Sequence, residues 1–243
     1  MTDHIIFYVL IAVVAFLYST VGHGGASGYL ALMALFSVSS ETMRSSALLL
    51  NIFVSLIAFI YYYQAGHFKI KLFIPFAVTS IPAAFIGGLF SIDPSLYKKI
   101  LAALLIFAAI RIVAFNKADD ANIREQNIYA SLVIGAVIGL FSGMIGIGGG
   151  IILSPLILLL HWANMKQSAA VSALFIFVNS IAGLSGLFLK GYSISSEVYI
   201  LISLAIVGGL VGSYMGAKKF NSKVLKPLLA FVLIIASLKL IIT

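Results

Sequence analysis

The sequence predicts an all-α polytopic membrane protein of two homologous, inverted halves, each a glycine-broken helical hairpin followed by three transmembrane helices. Three observations carry that prediction. The chain of 243 residues is 62% hydrophobic and only 9% charged, whereas a soluble domain carries about 25% charged residues. Its apolar runs are long enough to cross a bilayer. Two of those runs are over-long, each holds a glycine cluster near its middle, and they resemble each other at a separation of about half the chain.

A surface this poor in charge cannot be solvated by water, and with a mean hydropathy of +1.17 the solvent is lipid. The longest clearly polar stretch is 116–127, which leaves no room for a second, soluble domain. The net charge of +8 is scattered singly and in pairs between apolar runs. That pattern fits loop cations that set topology, not a nucleic-acid face. With no cysteine, disulfides, thiolate metal sites and thiol catalysis are excluded together. The start, Met1-Thr2-Asp3-His4, has no basic n-region, so the first run is expected to be a retained helix and not a cleaved signal.

A hydrocarbon core of about 30 Å takes roughly 20 apolar residues in a helix. Six runs fit that length: 42–63, 70–90, 96–115, 168–189, 198–217 and 224–243. Tyr61, Tyr62, Tyr63, Tyr97, Tyr192 and Tyr199 stand near run ends and read as an interfacial belt. The runs 5–36 and 128–162 are different. Each would reach roughly 50 Å as a helix, too long for one crossing and too short for two.

These two runs contain Val21-Gly22-His23-Gly24-Gly25-Ala26 and Ile145-Gly146-Ile147-Gly148-Gly149-Gly150. With Gly22 set on Gly146, Gly66 falls on Gly191, Ala83 to Gly87 on Gly208 to Gly212, and Lys99 on Lys226. The chain therefore divides into a first repeat, 1–118, a linker, 119–127, and a second repeat, 128–243, all within one membrane domain. If each over-long run crosses once, the loop cations show no side preference. If each is a hairpin that returns to its own side, Lys69, Lys71, Arg111, Lys117, Arg124, Lys166, Lys218, Lys219, Lys223 and Lys226 share one face. Arg44, Lys98, Lys99, Lys190 and Lys239 then share the other, ten against five. The positive-inside rule favours the hairpins, inverted halves, a cytoplasmic linker and both termini outside.

Consecutive glycines break a helix, and a broken backbone in hydrocarbon is tolerated only where it is buried in protein or lines a wet cavity. Half-helices beginning after Gly25 and Gly150 would aim their positive N-terminal ends at the midplane. Free amides and that dipole bind an anion without a buried cation. Spaced glycines such as Gly135/Gly139 and Gly208/Gly212 read instead as close helix packing, with Gly135→Ala expected to be mild.

The motifs Gly22-His23-Gly24-Gly25 and Gly143-Met144-Ile145-Gly146-Ile147-Gly148-Gly149-Gly150, early in duplicated halves, resemble those of the sulfite exporter TauE/SafE family, also called toluenesulfonate uptake permeases. The second motif continues into Ile151-Ile152-Leu153-Ser154-Pro155, and Ala169-Ala170-Val171-Ser172-Ala173-Leu174 is similar to the segment that follows it. The likeness covers nearly the whole chain. It implies multi-pass transport in a bacterial inner membrane, with sulfite, an organosulfonate or a related anion as cargo. His23 departs from the pattern, standing where an apolar residue is usual.

The candidate substrate-binding residues are Gly22, His23, Gly24, Gly25, Ser27, Asn51, Gly146, Gly148, Gly149, Gly150, Asn179 and Ser180. An ionisable group inside a membrane points to function, and histidine titrates near neutral pH. His23 is thus the candidate for proton coupling, against a neutral histidine bonded to a backbone carbonyl. Asn51, Asn179 and Ser180 offer donors to an oxyanion, or tie helices together. Ser19, Ser27, Ser142, Ser154 and Ser172 carry hydroxyls that commonly bond back into their own helix. Arg44 reads as a substrate-facing cation or an interfacial anchor, and His4, His67 and His161 as interfacial.

The expected function is a secondary transporter, an exporter, of a small anion, with no enzymatic activity. The alternatives are an anion channel, for which the polar lining is sparse, and an intramembrane serine protease using Gly25-Ala26-Ser27-Gly28 with His23. The latter needs the imidazole within reach of the serine, and Ile151 replaces Ser27 in the second half. No metal or other cofactor is implied, since the clusters lack the Lys-Ser/Thr ending of a phosphate loop. The expected partners are the anion and the lipid bilayer, and no nucleic acid. A monomer and a homo-oligomer both fit.

Overall fold

The structure, a computed structural model, describes residues 2–114, 123–191, 197–218 and 225–242. Tyr192, Lys117, Lys219 and Lys223, used above as belt or topology residues, lie outside them, as does part of the linker. Among the described residues there are ten α-helices and no strand. They are α1 (Thr2–Ser19), α2 (Ala26–Leu35), α3 (Ser40–Gln64), α4 (Ile70–Leu89), α5 (Pro94–Ala114), α6 (Ile128–Ile145), α7 (Gly150–Leu159), α8 (Met165–Leu189), α9 (Val198–Lys218) and α10 (Leu225–Ile242).

Five of these are long and apolar enough to cross a membrane: Thr42–Gln64, Ile70–Leu89, Ile128–Ile145, Met165–Leu189 and Val198–Ala217. The span at Ile128–Ile145 comes from an over-long run. Those expected at 96–115 and 224–243 are helices of 21 and 18 residues but are not among the five. The starts follow local chemistry. Ser39 and Asn127 cap α3 and α6 by accepting from Thr42 N and Ala130 N, and Asn164 with Gln167 forms a full capping box on α8.

Both over-long runs fold back on themselves. The Phe7 and Phe36 rings, at opposite ends of the first run, lie 5.0 Å apart, and Gly28 of α2 packs on Val14 and Tyr18 of α1. At the second run Arg124 N, four residues ahead of its start, donates to His161 O near its end at 2.7 Å, and Gly149 packs on Ile138. The reversals pass through left-handed backbone, with φ of 94° at Gly25, 89° at Gly146 and 79° at Gly149. Only glycine adopts those angles without strain. The half-helices begin at Ala26 and Gly150.

Glycine registers give the helix directions. Gly208, Gly212 and Gly216 of α9 press in order on the carbonyls of Ala12, Phe16 and Thr20, so α1 and α9 run parallel. Gly135, Gly139 and Gly143 of α6 do the same on Phe76, Ser80 and Ala84, so α4 and α6 run parallel. Leu48 lies beside Gly183, while Asn51, nearer the end of α3, and Ile176, nearer the start of α8, both meet Gly148. That register makes α3 and α8 antiparallel. The six most extensive helix pairings keep their pattern when the first five helices are exchanged for the last five, although lesser ones such as α1 with α2 do not: α1 with α9 answers α6 with α4, α3 with α9 answers α8 with α4, and α3 with α8 and α5 with α10 map onto themselves.

Two ends result. At one, Lys190 Nζ reaches Ser91 Oγ at 2.7 Å and Lys239 Nζ reaches Leu35 O at 2.6 Å. At the other, Lys166 Nζ reaches Ala217 O at 3.4 Å and Gln126 Nε2 reaches Leu72 O at 3.1 Å. The glycine pairs do pack helices closely, as expected, but the expectation that Gly135→Ala is mild fails. A Cβ at Gly135, Gly139, Gly208 or Gly212 would overlap a backbone carbonyl of the facing helix, and backbone cannot yield as a side-chain end can.

Two outcomes follow from this packing. In this cysteine-free chain, single cysteines at Thr2 and Ser37 label with an impermeant maleimide from one membrane face, and those at Glu125 and Asn164 from the opposite face. Labelling of Thr2 and Ser37 from different faces would show a single crossing in place of a hairpin. Gly139→Ala lowers the melting temperature in detergent, by the equivalent of about 1–3 kcal/mol.

Candidate functional site

A helix that stops inside a membrane leaves carbonyls at its C-terminal end and amides at its N-terminal end without partners. The two breaks treat these ends differently. Ahead of each break, a tyrosine from another helix supplies a donor: Tyr62 Oη bonds Thr20 O at 3.0 Å and Tyr97 Oη bonds Ile145 O at 3.1 Å. Both rings are 3% exposed, so neither belongs to the interfacial belt assigned to it from the sequence. After each break, α2 and α7 start from Gly25 and Gly149, and neither glycine can offer a side-chain cap. No side chain therefore caps either start, and in the first turn of α7 Ile152 N donates to Gly149 O at 3.1 Å.

The two breaks converge at Gly24 and Gly148. A Cβ placed on Gly24 would stand 2.6 Å from Asn51 Oδ1, and one on Gly148 would stand 2.7 Å from Asn51 Nδ2 and 3.2 Å from Ser180 Oγ. Asn51 lies near the middle of the 25-residue α3, so the breaks of both halves meet there. Ile176 touches Gly24, Gly148 and Gly150 and forms the apolar wall. Asn51 and Ser180 are 0% exposed, and neither amide atom of Asn51 nor the Ser180 hydroxyl bonds to protein.

The remaining candidates divide. Asn179 is buried and donates Nδ2 to Phe175 O at 2.8 Å within its own helix, leaving only Oδ1 without a partner. His23 is buried in the first break with Nδ1 2.9 Å from Val21 O. A carbonyl only accepts, so Nδ1 carries the proton in this bond. Gly22 and Gly146 stand apart from the convergence, at the hairpin tips, where Gly22 abuts Ala169 and Gly146 abuts Arg44. Gly25 and Gly149 pack on the rings of Tyr29 and Phe175. Ser27 donates to Tyr18 Oη at 2.8 Å. Ser19 bonds back to Phe16 O, and Ser154 pairs with Ser172 at 2.7 Å. Among the described residues no three His, Asp or Glu side chains cluster.

Arg44 is neither of the things expected of it. Its guanidinium is 5% exposed and gathers carbonyls: Nε and Nη2 bond Gly143 O at 3.0 and 2.7 Å, Nη2 bonds Gly87 O at 2.7 Å and Gly88 O at 3.1 Å, and Nη1 bonds Phe90 O at 3.0 Å. These are the C-terminal turns of α4 and α6, where helix dipoles present partial negative charge. Arg44 also leaves the tally of loop cations. The sequence signal was a lone cation inside an apolar run; its targets are brought to it only by the fold.

Removing Arg44 strands these carbonyls in a dry interior. Arg44→Ala is expected to destabilise by at least about 3 kcal/mol, read as thermal melting in detergent. Arg44→Lys is expected to recover only part of the loss, because an ammonium cannot reach four carbonyls on two helices with a planar fork.

Comparison with known proteins agrees with this architecture. A family model described as Sulfite exporter TauE/SafE matches residues 7–240. The chain is 31% identical over 233 residues to the "Probable membrane transporter protein y4hK" of Sinorhizobium fredii, covering 94% of each. It is 25% identical over 209 residues to the "Probable membrane transporter protein YdhB" of Bacillus subtilis, covering 83% of this chain and 84% of that one. A shorter match, 26% over 113 residues, covers 46% of this chain and 24% of "Sulfite exporter TauE/SafE family protein 3" of Arabidopsis thaliana. No solved structure matches. Its over-long runs, its helices and its relatives together make this chain a multi-pass membrane transporter protein of the sulfite exporter TauE/SafE family.

Proposed function

We propose that this protein is a secondary transporter that exports a small anion such as sulfite or an organosulfonate across a bacterial inner membrane. The anion sits at the midplane between Gly24 and Gly148, held by the first-turn amides of α2 and α7 and by Asn51 and Ser180. The single observation that carries the reading is Asn51. Its side chain is fully buried, and both of its polar atoms lack a protein partner at the point where two helix breaks meet. An unpaired buried amide costs about 1–3 kcal/mol, and a ligand that binds there offsets that cost.

The two halves act as an inverted repeat, with both termini outside. Each hairpin tip closes one route to the midplane: Gly146 lies against Arg44 at one end and Gly22 against Ala169 at the other. Movement of one tip at a time gives alternating access. His23, within the first break, takes up a proton on Nε2 as the anion binds and couples the flux to pH.

The test is flux in proteoliposomes with sulfite, thiosulfate and small sulfonates, with and without a pH gradient. Asn51→Leu is close in shape and removes the unpaired groups, so it is expected to keep or raise the melting temperature while cutting flux at least about tenfold. Lost stability with unchanged flux would make Asn51 a structural residue. Gly148→Val is expected to abolish flux, since its φ of 69° suits glycine and the added atoms would meet Asn51 and Ile176. His23→Gln is expected to remove the pH dependence of flux. A mutant that keeps the wild-type pH response would show that His23 is only a backbone-bonded side chain.

A further inference from the structure

The two hairpin tips close on equivalent positions of α3 and α8, and the residues at those positions differ. Gly22 rests on Ala169 of α8, and Gly146 rests on Arg44 of α3. Arg44 and Ala169 stand as far apart in sequence as Asn51 and Ile176, which each touch both Gly24 and Gly148. Each tip also takes one tyrosine bond, Tyr97 Oη to Ile145 O at 3.1 Å at the Arg44 end and Tyr62 Oη to Thr20 O at 3.0 Å at the Ala169 end. Those two bonds balance. Arg44 has no such match, since Ala169 brings only a methyl group.

Arg44 also spans the joint that has to part. Its guanidinium bonds Gly143 O on α6, the helix that leads into the Gly146 tip, and Gly87 O, Gly88 O and Phe90 O at the end of α4. Drawing that tip and α6 away from α3 and α4 must break one set of these bonds or the other. Charge-assisted hydrogen bonds are among the strong ones, and a buried charge pulled from its partners is strongly disfavoured. At the Ala169 end, parting costs apolar contact and the Tyr62 bond.

We infer that Arg44 is a latch on one gate, so that the carrier rests closed at the Arg44 face and opens first at the Ala169 face. The inference rests on the carrier reading above, in which the tips are the gates. Ala169 and Lys166 share the first turns of α8, and the positive-inside reading puts that end in the cytoplasm. A latch on the opposite face holds the centre ready to load from inside and delays release until the Arg44 bonds break. That order suits export.

The experiment reads access along each route. Ala47 shares the face of α3 with Arg44 and Asn51, and Ser172 shares the face of α8 with Ala169 and Ile176; both are fully buried. Ala47→Cys and Ser172→Cys are made singly in this cysteine-free chain. An impermeant maleimide is applied to right-side-out and to inverted vesicles, each rate being normalised to that of the denatured protein. With Arg44 in place, Ser172→Cys is expected to label from the Lys166 face at least about tenfold faster than Ala47→Cys labels from the Lys190 face. Adding Arg44→Lys is expected to speed Ala47→Cys labelling at least about tenfold and to slow that of Ser172→Cys, as the resting population shifts. The first comparison stands whether or not Arg44→Lys folds. Equal labelling of the two reporters with Arg44 in place would overturn the latch and leave the carrier reading standing. Faster labelling of both reporters in Arg44→Lys would make Arg44 a structural residue and overturn the latch. Labelling of neither reporter in any background would show that the tips are not gates, and would overturn that part of the carrier reading with the latch.

Discussion

A backbone group cut out of a helix inside hydrocarbon has no water to turn to, and the architecture follows from how this chain answers that constraint. Two breaks create two sets of stranded carbonyls and two sets of stranded amides. The carbonyls are answered from within the protein. Tyr62 covers Thr20 O, Tyr97 covers Ile145 O, and Arg44 draws in Gly143 O with three carbonyls of α4. The amides are not capped by side chains. Each hairpin turns on glycine at left-handed φ, and Gly24 of one break and Gly148 of the other both reach Asn51.

The close approach needed for that geometry comes from small residues. Gly24 and Gly148 leave room for Asn51, and Gly150 for Ile176. Around this centre, parallel pairs α1/α9 and α4/α6 bring glycine rows onto facing backbone, so the hairpins are held by helices of the opposite half. The two ends of the molecule nevertheless close by different chemistry. One tip, at Gly146, rests on a cation that binds four carbonyls; the other, at Gly22, rests on Ala169 and a tyrosine bond to Thr20. Main helix pairings that match between the halves thus carry an unequal set of polar contacts at the two faces.

Much of this was legible in the residues. Composition placed the chain in lipid, run length marked the two hairpins, and consecutive glycines located the half-helix starts at Ala26 and, to within one residue, at Gly150. What resisted reading shares one physical cause: a side chain near the end of an apolar run looks interfacial whatever it touches. Tyr62 and Tyr97 fit an aromatic belt by position, yet both are buried on hairpin tips. Arg44 looked like an anchor because its acceptors lie 43 to 99 residues away. Gly22 and Gly146 share motifs with Gly24 and Gly148, and only the three-dimensional turn separates tip from centre. Gly135 was recognised as a packing residue, but how close the facing carbonyl comes cannot be read from spacing.

The central claim is that the two breaks form one binding centre at Asn51. Crystals grown with bromomethanesulfonate, a monoanion with a strong anomalous scatterer, test it most directly. The account predicts one bromine peak within contact of Gly24, Gly148, Asn51 and Ile176, lost in Asn51→Leu crystals grown the same way. A peak at the hairpin tips or on the surface, with none between the breaks, would contradict it.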